Sequence, residues 1–248
     1  GQRLEAAQRR IRQLQNRINA SPCPRCPYLG EHRGHRNEIS AIEATLEGGK
    51  AELEHARNRF RREFRALRDV LQVTGFLHDD TVTELGSLAE GLFGDTSLIV
   101  ADAVASGLFD GLEPAELAAT LVMLVAEDRG RDRPHPSSHQ FPTANIAQRH
   151  RALRTLLRHF GEVEQEHGIE TARALSLDFV NPAYQWTNGV DLADIEPPGS
   201  ADVGDVVKAI KNLYSLLRQM EQALAHHWLH RLVQETRALV ERDVIRRV

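Results

Sequence analysis

The chain has 248 residues, with 31 Lys and Arg against 35 Asp and Glu, a net charge of −4, 41% hydrophobic and 27% charged side chains. This describes a globular chain long enough for one large or two small cores, and it excludes a generally basic nucleic-acid coat, so any polyanion contact must be local. No apolar run approaches the about 18 residues of a membrane span, aromatics at 5% count against base-stacking sheet folds, and two cysteines fit a reducing cytoplasm.

The first twenty residues are arginine-rich and heptad-patterned, unlike a secretory signal. Leu4, Ala7, Ile11, Leu14 and Ile18 recur at steps of three and four, a short seam on a helix over 2–19. A break from Ser21 to His35 holds three prolines and two glycines. The seam resumes at Ile39, Ile42, Leu46, Gly49, Leu53, Ala56, Phe60, Phe64, Leu67 and Leu71. The expectation is an antiparallel coiled-coil hairpin over 1–66 whose second arm outruns its first, as though chain upstream of Gly1 were missing. The opening Gly, in place of Met, points the same way: a processed or excised piece.

After Gly75 the pattern becomes that of a bundle over 67–248, with a first half over 67–130, a loop over 131–142 and a second half over 143–248. Thr83 to Phe93 reads as a helix, and Asp95 or Thr96 caps the next through Gly107. Glu113-Pro114 starts a strongly apolar helix through Asp128, with Pro at its permitted first position. Arg129 to Pro142 is a polar loop carrying His135 and His139. Ala144 to His167 is amphipathic, and Ala172 to Trp186 is a further helix with a kink near Asn181-Pro182, closed by Asn188-Gly189. Leu192 to Ile195 is a short turn. His226 to Arg247 ends the chain with Trp228, Leu232, Leu239 and Val240 inward. No strand is expected, so the fold class is all-α.

The stretch Ser200 to Leu224 sets up the bundle's most informative helix. Ser200 or Asp202 caps it after Pro197-Pro198-Gly199. Val203, Val206, Val207, Ile210, Leu213, Leu217, Met220 and Leu224 form one buried face. The opposite face carries Lys208, Asn212, Ser215 and Gln219, with Lys211 on its flank, and only Lys50 stands elsewhere among the lysines. A row of donors backed by an apolar face suits a polyanionic strand; the plainer reading is a solvated outer face. No GxxxxGK[ST], GxGxxG, HExxH or GxSxG motif is present, so the chain is not expected to be a catalyst by itself.

Two groups of segments resemble a known family. One is Leu71 to Leu77 (LQVTGFL), Leu88-Ala89-Glu90, Gly94-Asp95 and Ser106 to Arg129 (SGLFDGLEPAELAATLVMLVAEDR). The other is Tyr184 to Gly189 (YQWTNG), followed by the Ser200 helix. In this order they resemble the C-terminal DSHCT-type helical region of the Ski/Mtr/HelY-like superfamily-two RNA helicases, the bacterial HelY-like branch in particular, from about Leu67 to Gln222. Residues 2–66 resemble the returning stalk arm that precedes that bundle. The resemblance implies a "ratchet" helix from Ser200, with Lys208 where the family has a strand-contacting Arg or Lys and Glu90 facing the same channel. Asn212 and Tyr214 replace charged residues common there, and Gly91 to Thr96 differs in length by a residue. RecA-like motors, with their ATP and Mg, would lie in a longer parent protein.

Other sets carry less. Cys23, Cys26, His32 and His35 could close a tetrahedral zinc site at the hairpin tip, but their spacing fits no standard finger and plain loop thiols are the preferred reading. His226, His227 and His230, and His78-Asp79-Asp80, read as surface and turn residues. Arg57, Arg59, Arg61, Arg62 and Arg65 alternate with Glu52, Glu54 and Glu63, which marks a salt-bridged solvated face. Trp186 reads as core. The expectation is thus an accessory region of a cytoplasmic, monomeric RNA helicase. It would meet single-stranded RNA, the parent's motors and a protein at the stalk, and no membrane. The alternative is a helical scaffold that never touches nucleic acid.

Overall fold

The computed structural model describes residues 2–126, 140–169, 174–242 and Ile245. It divides the chain into two compact units, Gly1–Arg62 and Glu63–Val248. Among the described residues the chain is all-α apart from one minute hairpin, and none of the described helices is long and apolar enough to cross a membrane.

In the first unit, helix α1 spans Gln2–Ala20 and helix α2 starts at Leu29 and runs on to Val73. The break between them is shorter than the expected Ser21–His35: a 3-10 turn at Cys23–Arg25, and helix again from Leu29, so His32 and His35 are helical. Prolines 22, 24 and 27 confine the break, because each lacks the N–H that a helix interior needs. The seam residues Ile11, Leu14, Ile18, Ile39, Ile42, Leu46, Leu53 and Phe60 all stand exposed. Heptad spacing decides which face of a helix is apolar and leaves open what covers it.

The second unit starts at Glu63, and within it α2 gains a buried residue, Val70. Gly75, at φ +82°, turns the chain out of the helix. Where no strand was expected, the chain forms a two-stranded hairpin, β1 (Leu77–His78) paired antiparallel with β2 (Thr81–Val82). Gln72 donates to the Asp79 carbonyl at 2.8 Å and braces the turn. Thr83, Thr143 and Asp202 cap the helices α3 (Glu84–Glu90), α6 (Ala144–Glu166) and α8 (Val203–Ala223) with side-chain acceptors. Helix α4 spans Ser97–Ala105.

Helix α5 (Pro114–Val125) is the hub. Every residue from Ala115 to Leu124 is buried, and it packs against α6, α7 (Val180–Thr187), α8 and α9 (His230–Val240). Glu116 belongs to this buried run. It closes a capping box on Glu113 and accepts from the Thr143 hydroxyl at 2.6 Å and the Asn145 amide at 3.2 Å, tying the starts of α5 and α6 together. Burial alone would push its carboxyl up, but the hydrogen bonds from Thr143, Glu113 and Asn145, with Arg149 nearby, hold it below its ordinary range.

Two expected helices start later than their patterns suggest. Helix α7 begins at Val180, not Ala172, and residues 174–179 are non-helical; this places Pro182 in the first turn, where its missing N–H costs nothing. Helix α9 begins at His230, not His226, so Trp228 lies before it. Leu229, Val233, Thr236 and Val240 face inward, while Trp228 and Leu239, expected inside, are exposed. Asp128, His135, His139 and residues 170–173 lie outside the described residues.

Candidate nucleic-acid interface

Helix α8 presents the donor row. A reciprocal capping box between Asp202 and Asp205 starts it, with bonds of 2.8 and 3.0 Å. Its inner face buries Val206, Ile210, Leu213, Leu217 and Met220, as the spacing predicts, together with Ala209 and Leu216, which were not expected there, while Val207 is half-buried and Val203 exposed. Against α9, Glu221 meets Arg237 at 2.6 Å. Burial pulls the Arg237 guanidinium down, but Glu221, Tyr214 and Glu241 together raise it, so it stays charged.

Lys208 is exposed and Lys211 half-buried on the outer face. Asn212 is not simply an outward donor: its amide donates to the Val125 carbonyl at 3.2 Å, capping the last turn of α5. Gln219 is likewise engaged, accepting from the Phe93 N–H at 2.7 Å. A helical wheel puts Asn212 and Gln219 beside Lys208, but amides with backbone partners across the bundle turn partly inward. Arg218, by contrast, is exposed and was missed by the sequence reading. It lies seven residues after Lys211, hence within about 20° of the same line along the helix, and that spacing was the available signal. The outward row is therefore Lys208, Lys211, Ser215 and Arg218.

Glu90, the exposed last residue of α3, stands near the other end of α8. Gly91 sits so close to α8 that a Cβ there would lie 2.8 Å from the Ala223 Cβ. Lys208 is eleven residues before Gln219, about 16 Å along the axis. Glu90 on α3 and Lys208 on α8 therefore stand at different ends of α8 and do not form one cluster. A carboxylate there repels phosphate but can accept from a base amino group or a ribose 2′-hydroxyl.

Trp186 is fully buried, as expected of core, and donates to the Val240 carbonyl at 3.0 Å. Arg242 stacks its guanidinium 3.7 Å over the Trp186 ring and donates to the Trp186 carbonyl at 2.7 Å and to the Val190 carbonyl.

The four zinc candidates are not brought together. Cys26 Sγ reaches His32 Nδ1 at 3.7 Å, but Cys23 is exposed and His35 turns to Glu38, also at 3.7 Å. Once α2 starts at Leu29, the histidines follow its helical spacing and not a loop's. No group of three or more His, Cys, Asp or Glu side chains among the described residues could hold a metal ion.

Residues 79–247 match the DSHCT (NUC185) domain family. The chain is 29% identical over 181 residues to the probable helicase HelY of Mycobacterium tuberculosis, covering 70% of this chain and 20% of that protein. It is 22% identical to the ATP-dependent RNA helicase mtr4 of Schizosaccharomyces pombe (96% of this chain, 22% of that protein). The human exosome RNA helicase MTR4 is 23% identical (90% and 21%). The chain spans about a fifth of the length of these relatives.

Proposed function

The chain belongs to the DSHCT (NUC185) domain family, and on that premise we propose that it is the C-terminal accessory region of an ATP-dependent 3′-to-5′ RNA helicase. The rest of a longer protein would supply the RecA-like motors, which would hold ATP and magnesium. The bundle packs on those motors, and α8 contacts the single strand that leaves them. The reading includes a monomer acting in the cytoplasm, with a protein partner on the helices of the first unit.

The observation that carries the reading is the outward row of Lys208, Lys211, Ser215 and Arg218 on a helix whose opposite face is locked into the core. Cations of this kind grip phosphate without reading sequence, which is what a strand sliding past a fixed surface requires. The helix acts as a pawl: it opposes back-slippage and moves nothing itself. Glu90 adds a hydrogen-bond acceptor farther along.

The test is fluorescence anisotropy with labelled single-stranded RNA at low salt and at about 200 mM, where phosphate contacts weaken, on this chain and on Lys208→Ala/Lys211→Ala. Salt-sensitive binding that falls in the double variant, with circular dichroism unchanged, supports the reading. Absent binding, or binding indifferent to both lysines, rejects it. The scaffold reading is favoured by a different observation, the exposed apolar seam from Ile39 to Phe60. It predicts that neither lysine affects anything but solubility.

A further inference from the structure

We infer that Phe93 is a base-stacking platform at the far end of the α8 path; the inference rests on α8 being the strand-contacting helix. Phe93 is 77% exposed, more than any other large apolar side chain among the described residues. Its position is nevertheless fixed. Leu92 beside it is buried, Gly91 is pressed against Ala223, and its own N–H is held by Gln219 of α8.

That anchor fixes the backbone from which the ring projects. Eleven residues separate Gln219 from Lys208, a rotation of about 20° net at 100° per residue, so both lie on nearly the same line of α8, about 16 Å apart. Exposed Ser215 stands between them, its hydroxyl accepting from the Gln219 amide at 3.5 Å. A strand along this line meets a cation first and an aromatic face last.

The surroundings favour a base over a protein surface. The neighbours of Phe93 in the chain are polar: Glu90, Gly94 and Asp95 are exposed and two of them are acidic. The carboxylates discourage phosphate at that point but not a neutral base. A base offers a flat π-face whatever its identity, so stacking on Phe93 would be tolerant of sequence, as processive movement requires. The cation end holds the backbone and the aromatic end holds the base.

The experiment uses the whole chain with Phe93→Ala, Phe93→Leu and Phe93→Trp. The probes are a short labelled oligoadenylate and an abasic oligonucleotide of equal length, which keeps phosphates and riboses but offers nothing to stack. Phe93→Ala and Phe93→Leu should each bind oligoadenylate about tenfold more weakly, within the range of one base–aromatic stack, and should bind the abasic probe like the parent chain. Phe93→Trp, made with Trp228→Phe, should retain affinity and show quenching by oligoadenylate only. Equal losses on both probes, or none on either, overturn the role of Phe93. Binding that depends on Lys208 and Lys211 yet ignores Phe93 overturns the stacking inference alone. No binding by the parent chain overturns the α8 reading and this inference with it.

Discussion

Replacing Arg242 by Ala removes the clamp that joins the chain's last described stretch to α7. Its guanidinium is about a quarter exposed, so its interactions are only partly screened. It covers the Trp186 ring at 3.7 Å and donates to two backbone carbonyls, those of Trp186 and Val190. A part-buried cation–π contact is worth about 1 kcal/mol. Two charge-assisted bonds to carbonyls contribute about 1 kcal/mol each at this exposure. The substitution should therefore cost about 3 kcal/mol, a fall in Tm of roughly 6–12 °C for a bundle of this size. Arg242→Lys keeps the charge but loses the planar fork, and should recover about half. The assay is thermal unfolding followed by the fluorescence of Trp186 in a Trp228→Phe background. That signal reports the bundle and not the helices of residues 1–62. A loss below about 0.5 kcal/mol, the ordinary scatter of surface substitutions, would refute the clamp.

Glu116 gives a pH-dependent prediction. Its folded value is depressed below the ordinary carboxylate value of about 4.3. Its contribution is therefore complete above that value and is lost as pH falls through the lower folded value. Glu116→Gln should lower stability at neutral pH by about 1–2 kcal/mol and flatten the acid side of a urea-unfolding series. An unchanged acid limb would remove Glu116 from the account. The outward row of α8 gives a salt dependence. Three cations at about 0.7 per neutralised phosphate predict a slope of log affinity against log salt near −2, and Arg218→Ala alone should reduce its magnitude by about 0.7. A slope that does not respond to Arg218 would place that residue off the strand.

The sequence made the helical content plain wherever apolar spacing was long and uninterrupted. The inner face of α8 follows Val206, Ile210, Leu213, Leu217 and Met220 as spaced, and Trp186 is core. What it could not show depends on partners distant in the chain. Asn212 and Gln219 sit on the polar side of a wheel, yet the carbonyl of Val125 and the N–H of Phe93 draw them in. Trp228 was misplaced because it precedes α9, which starts at His230, and Leu239 because it lies about 100° around the helix from its inward neighbour Val240. Proline position, and not apolar spacing, decided where α7 begins.

The two amides that hold α8 have a consequence for which sequence changes this surface can absorb. Asn212 and Gln219 fix the helix against rotation at two points, one on α5 and one beside α3. Exchanging one outward side chain for another leaves both anchors in place. Deleting a single residue between Lys208 and Asn212 would swing the first turns by about 100° relative to those anchors, turning Lys208 away from the outward row and Val206 out of the core. Outward positions on α8 should therefore tolerate wide variation in residue type, while the length of the helix between its cap and Gln219 should tolerate almost none.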